Sequence, residues 1–113
     1  MLIKKNDPIF VAGHTGLVGS AIVRKLKEKK YKNIITIQRK NLDLTNQEET
    51  FLFLKKKNPK FVFIAAARVG GIIDNNSKKA DFIFENLQIQ NNLIHGSKIN
   101  NIKNIIFLGS SCV

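Results

Sequence analysis

Gly13-His14-Thr15-Gly16-Leu17-Val18-Gly19 follows directly on the apolar run Pro8-Ile9-Phe10-Val11-Ala12 and leads into a helical pattern. A glycine-rich strand-to-helix turn brings backbone N–H groups up to a dinucleotide pyrophosphate at a helix N-terminus. Gly13 permits the tight turn off the strand. Gly16 removes the Cβ that would block a phosphate, and Gly19 lets the helix pack closely on the sheet. The spacing is G-x-x-G-x-x-G rather than the commoner G-x-G-x-x-G, which points to one subclass of nucleotide-binding oxidoreductases.

The second position with chemical content is Gln38-Arg39-Lys40. Nucleotide-binding domains that prefer NAD carry a carboxylate at the end of the second strand to hold the ribose 2′-hydroxyl. Here there is none. A guanidinium at Arg39 suits the 2′-phosphate of NADP through paired charge-assisted hydrogen bonds. The plainer reading of Arg39 is a solvated residue in a lysine-rich chain, and Lys40 beside it keeps that reading open. Asp43 suits either the adenine amino group or a turn ahead of the next helix. The small residues Ala65-Ala66-Ala67 let a ribose and pyrophosphate lie against a strand end. Ser110-Ser111-Cys112 offers a hydroxyl to polarise a carbonyl and a thiol to move a proton, although a lone cysteine commonly serves as a small buried hydrophobe. His14 and His95 read as a loop residue and a helix-face residue, and no Cys/His cluster suggests a metal.

Alternating elements must position these residues. Pro8–Ala12 reads as a buried strand, and Leu17, Val18, Ala21, Ile22 and Leu26 recur at helical spacing over residues 17–30. Asn33–Gln38 is β-branched and strand-like. Thr45-Asn46-Gln47-Glu48 matches a capping box, with Thr45 as the cap, for a helix that stops at Asn58-Pro59. Phe61–Ala66 is a third strand. Residues 78–99 carry a helical stripe through Phe82, Ile83, Leu87, Ile89, Leu93, Ile94 and Ile99, and Ile105–Gly109 is a fourth strand. Continuously apolar strands separated by helices predict an α/β fold: a Rossmann-type, doubly wound parallel sheet of four strands and three helices, incomplete, with order 3-2-1-4. Residues 1–113 then form a single NADP-binding domain without a substrate domain. Ligands in such sheets bind beyond the carboxyl ends of the strands, which is where the turn, Arg39, the alanines and Ser110–Cys112 all fall.

Composition excludes several classes. No apolar run approaches the roughly 20 residues needed to span a bilayer, so no membrane partner is expected. The single cysteine, Cys112, has no internal disulfide partner, and a reducing cytoplasm fits. The net charge of +11 invites a nucleic-acid reading. However, Lys, Ile and Asn make up 45 of the 113 residues, and the lysines scatter over helix ends and loops. That pattern fits a compositional bias and a solvated surface better than a basic patch.

Gly-His-Thr-Gly-Leu-Val-Gly-Ser-Ala (13–21), Ala-Ala-Ala-Arg-Val-Gly-Gly-Ile (65–72), Asn75-Asn76, Ala80-Asp81-Phe82-Ile83 and Phe-Leu-Gly-Ser-Ser-Cys (107–112) resemble the GDP-L-fucose synthases. These belong to the extended short-chain dehydrogenase/reductases of the NAD-dependent epimerase/dehydratase family. The resemblance runs along essentially the whole chain. It implies NADPH-dependent conversion of GDP-4-keto-6-deoxy-D-mannose to GDP-L-fucose, by epimerisation at two sugar carbons and reduction of the 4-keto group, in a homodimeric enzyme. It implies a cofactor site made of Gly13, His14, Thr15, Gly16, Leu17, Val18, Gly19, Arg39, Asp43, Leu44, Ala65, Ala66 and Ala67. Ser110 would hydrogen-bond the keto oxygen and Cys112 would act as acid/base in epimerisation. Val69, Gly70, Gly71 and Ser111 would line the sugar site. The family's Tyr-x-x-x-Lys pair has no counterpart here, since Tyr31 is followed four residues later by Ile35. The chain therefore reads as the amino-terminal part of such an enzyme, inactive by itself. The same residues also fit a non-catalytic NADP-binding module or another nucleotide-sugar epimerase/dehydratase.

Overall fold

The computed structural model describes residues 3–65 and 76–108, and the side chains of 76–82 lie outside that description. In order, its elements are β1 (Ile9–Ala12), α1 (Leu17–Glu28), β2 (Ile34–Ile35), α2 (Gln47–Lys57), β3 (Phe61–Ile64), α3 (Asn76–Ile99) and β4 (Asn104–Phe107). Among the described residues the strands form one parallel sheet in the order β2-β1-β3-β4.

The expected α/β sheet is present, but the expected order 3-2-1-4 is not. The third strand pairs with the far edge of β1 instead of lying beyond β2. Burial accounts for the choice. Every residue of β1 is buried, and so are Phe61, Val62 and Ile64 of β3. Such strands need neighbours on both edges and cover on both faces. β2 pairs only through half-buried Ile34 and Ile35, and it serves as an edge.

Alternation along β1 splits the core between two faces. Phe10 and Ala12 join Val62, Ile64, Leu54 of α2 and Ile89 and Leu93 of α3. Ile9 and Val11 point the other way, to Phe61 and Leu26 of α1. The fully buried Phe10, Leu54 and Leu93 each stabilise the fold by roughly 1.5–3 kcal/mol. Phe10 also meets Phe53 with ring centroids 5.0 Å apart.

The helix ends show local chemistry deciding boundaries. In α2 the cap is Asn46, not Thr45: the Asn46 side chain accepts from the Glu49 N–H at 2.9 Å. Thr45 is occupied elsewhere, its hydroxyl and its N–H both donating to Asp43 Oδ1. At its other end α2 stops on Asn58, whose φ of 45° breaks the helix just before buried Pro59. Lys5 closes α1 by donating to the Lys29 carbonyl at 2.6 Å, its ammonium lying 4.2 Å from the Tyr31 ring centroid.

The apolar stripes read from sequence are partly displaced. In α1, Leu17, Val18 and Ala21 are exposed, and Ile22, Val23 and Leu26 turn toward the sheet. In α3, Ile89 and Leu93 are buried, but Ile83, Leu87, Ile94 and Ile99 face solvent. The rest of the inward face is Asn92, Gly96 and Ser97, because α2 approaches closely. A Cβ at Gly96 would stand 2.8 Å from Phe51 Cδ1 and 2.9 Å from Leu54 Cδ1.

Candidate functional site

The site begins where β1 ends. Gly13 has a φ of 90°, a conformation that side chains resist, and its carbonyl accepts from the Gly16 N–H at 3.1 Å to close the turn. Gly19 is buried against that same carbonyl. A Cβ on Gly19 would lie 1.8 Å from the Gly13 oxygen, so α1 can begin here only if residue 19 has no side chain. These two glycines are demanded by the fold itself.

Gly16 is different. Its backbone (φ −77°, ψ 173°) is open to any residue, and an added Cβ would meet only the Gly13 oxygen at an ordinary 3.5 Å. Nothing within the described chain requires glycine at this position. It is exposed and forms the N-cap of α1, where no side chain accepts from the first-turn N–H groups and no acidic residue stands in the first turn. The first N–H groups of a helix lack intrahelical acceptors and carry its positive dipole end. This helix end therefore suits an anion from outside, and the bare Gly16 lets it approach.

Beside the turn lies a cleft lined by Ala12, Gly13, His14, Thr15, Gly16, Ile37, Arg39, Leu42, Asp43, Leu44, Thr45, Ala65 and Ile89, with Phe10 at its base. Its volume of about 180 Å³ is below the roughly 300–1,000 Å³ of complete small-molecule sites, so it admits part of a large ligand. Its walls come from three places. The β1 turn supplies the uncapped helix end. The segment after β2 supplies Arg39 and the Leu42–Thr45 wall. Ala65, whose N–H donates to the Ala12 carbonyl at 3.0 Å, supplies a small surface at the end of β3.

The structure thus gathers Gly13, His14, Thr15, Gly16, Arg39, Asp43, Leu44 and Ala65 from the expected cofactor set. It does not bring Leu17, Val18 or Gly19 into the cleft lining: Leu17 is 88% exposed and Val18 50%, and Gly19 is packed beneath the turn. Of the two roles read for Asp43, the turn is the one its hydrogen bonds show. The residue lines the cleft and also makes the turn that orders Thr45. Ala66, Ala67, Val69, Gly70, Gly71, Ser110, Ser111 and Cys112 lie outside the described residues. Sequence reasoning missed Ile37, Leu42, Thr45 and Ile89. Ile37 had a signal in its two-residue spacing from Ile35, on the face that packs with Phe10 and Ala12. Among the described residues no helix is long and apolar enough to cross a membrane, and no three His, Cys, Asp or Glu side chains group as metal ligands.

Comparison with known proteins bears on what this geometry is for. The chain is 51% identical over 109 residues to GDP-L-fucose synthase 1 of Arabidopsis thaliana, covering 96% of this chain and 34% of that protein. It is 49% identical over 113 residues to a GDP-L-fucose synthase of Sinorhizobium fredii, covering 100% of this chain and 36% of the relative. A solved GDP-mannoheptose C4 reductase from Campylobacter jejuni, with NADP bound, superposes with a TM-score of 0.89 at 41% identity, over 96% of this chain and 34% of that one. The chain spans about a third of the length of the curated relatives it matches. Residues 9–113, from the first residue of β1 through the glycine turn and all four strands, match one family, and the chain belongs to it: the NAD dependent epimerase/dehydratase family.

Proposed function

We propose that this chain is the cofactor-binding part of an NADPH-dependent GDP-L-fucose synthase, acting on GDP-4-keto-6-deoxy-D-mannose in nucleotide-sugar biosynthesis. The observation that carries the reading is Gly16, a glycine the fold does not need at a helix end that no side chain caps. A dinucleotide pyrophosphate supplies the missing acceptor, and relatives at about half identity are named GDP-L-fucose synthases.

The residues present fit such a cofactor. Gly16 and the first-turn N–H groups of α1 hold the pyrophosphate. The Arg39 guanidinium, exposed at the cleft edge with no carboxylate at the neighbouring strand end, selects a ribose bearing a 2′-phosphate. Leu42, Ile37, Ala65 and Ile89 give the adenosine half an apolar bed. When bound, the nicotinamide supplies the hydride for reduction of the 4-keto group. Ser110 orients that carbonyl and Cys112 moves protons in the epimerisation, roles that rest on the resemblance of residues 107–112 to the family.

The test is NADPH oxidation by the family-length protein with GDP-4-keto-6-deoxy-D-mannose as substrate. Turnover that yields GDP-L-fucose supports the reading. NADPH-dependent turnover of a different GDP-sugar, with none on this one, contradicts the substrate assignment and keeps the cofactor assignment.

A further inference from the structure

The cleft wall formed by Leu42–Thr45 is irregular backbone between β2 and α2, yet something holds it against the end of the sheet. Local turns account for part of this. The Leu42 N–H donates to the Gln38 carbonyl at 3.1 Å, and the Asn46 N–H to the Asp43 carbonyl at 2.9 Å. Neither ties the wall to the opposite side of the cleft. That connection comes from α3. Asn92 Nδ2 donates to the Leu44 carbonyl at 2.8 Å across 48 residues of sequence, and the Asn92 residue is 4% exposed.

We infer that Asn92 is a positioning residue for the cofactor site, acting through the Leu44 carbonyl. Three observations converge on it. First, the Leu44 carbonyl is a gathering point, because the Thr50 hydroxyl, wholly buried in α2, also reaches it at 3.4 Å. Second, Ile89 lies one turn before Asn92 in α3 and itself lines the cleft. The same helix therefore provides one surface of the site and anchors another. Third, a polar side chain on this inward face is costly unless it is bonded. Asn92 meets that cost with the Leu44 bond and with Gln88 Nε2 at 3.5 Å from its Oδ1. A leucine would fill the space and lack the donor. The Leu44 carbonyl would then keep only the longer Thr50 contact, and Asp43, Leu44 and Thr45 would lose their fixed distance from Ala65 and the glycine turn.

The inference rests on the reading of this cleft as the adenosine side of an NADPH site, so the experiment separates the two. NADPH and 2′,5′-ADP, which carries only the adenosine half, are titrated into the 113-residue chain, its Arg39→Ala form and its Asn92→Leu and Asn92→Ala forms. Amide hydrogen exchange is followed in the 38–46 segment and in β3. For both Asn92 variants we expect about tenfold weaker binding of each ligand, the scale of leaving a buried acceptor short of its donor. Exchange should quicken in 38–46 and stay unchanged in β3. Purely structural damage would quicken β3 equally and would overturn the inference, as would binding within twofold of the parent. Failure of the parent to bind either ligand, or indifference to Arg39→Ala, would overturn the cofactor reading and this inference with it.

Discussion

The N-termini of α1 and α2 lie on the same rim of the sheet and are built in opposite ways. At α2 the chain satisfies itself. Asn46 accepts from Glu49, Glu48 and Glu49 place negative charge in the first turn, and Lys55, Lys56 and Lys57 place positive charge in the last. At α1 there is no side-chain cap and no first-turn acid, and the cap position is a glycine whose Cβ the fold has room for. A helix that completes its own capping is serving stability. One that leaves its N–H groups open at a cleft, with the approach cleared, is free to take an acceptor from outside the chain, and a ligand that does so is the function proposed for it. Sequence local to each turn writes this difference, and substitutions at the two ends should separate cleanly into stability effects and binding effects.

The largest effect should come from Gly19, where the α1 end is held by the fold. Gly19→Ala puts a Cβ within 1.8 Å of the Gly13 oxygen, and the helix must shift as a body. We expect a loss of about 3 kcal/mol in urea unfolding, at the upper end of overpacking costs. A loss under about 1 kcal/mol would mean that turn and helix are not packed as described.

Arg39→Ala comes next and acts on the ligand alone. Removing a charge-assisted pair should cost roughly 1.5–3 kcal/mol of NADPH affinity by calorimetry and leave NADH unaffected. Equal losses for the two cofactors would show that Arg39 does not read the 2′-phosphate.

Asn46→Ala is the smallest and the mirror image. It should cost about 1 kcal/mol of stability, the usual worth of a helix cap, with NADPH binding unchanged. A matching loss of NADPH affinity would mean that the α2 end also serves the ligand, and the contrast between the two ends would fail.

How much of this was legible in the sequence follows from which residue types carry it. β1 and β3 were readable because both are continuous apolar runs, and the glycine turn because its spacing is constrained by backbone geometry. Sheet order was not, since nothing in the sequence local to β3 states whether it will pair with β1 or with β2; the burial demand of two central strands decides that. The inward face of α3 was hidden because close approach to α2 favours Gly96 and Ser97, and because Asn92 is there for a hydrogen bond, so the face is small and polar where a hydrophobic pattern looks for leucines. The α2 cap falls on Asn46, one residue beyond the Thr45 that the capping-box pattern points to, because Asp43 captures the Thr45 hydroxyl. In the site, Gly13, Gly16 and Arg39 stood out by residue type. Leu42 and Ile89 were invisible because an apolar residue that lines a cleft looks like one that fills a core.

If Gly16 is kept for a ligand and not for the fold, binding and stability part company in the Gly16→Ala form when NADPH is titrated into it alongside a thermal melt. An alanine is sterically compatible with this backbone and restricts the unfolded chain, which offsets its poorer capping, so stability should stay within about 1 kcal/mol of the parent. NADPH affinity should fall at least about tenfold, because the new methyl group stands where the phosphate must approach. Unchanged affinity in a folded Gly16→Ala protein would show that Gly16 is not kept for the ligand, and so would a melt that collapses while the remaining folded fraction binds normally.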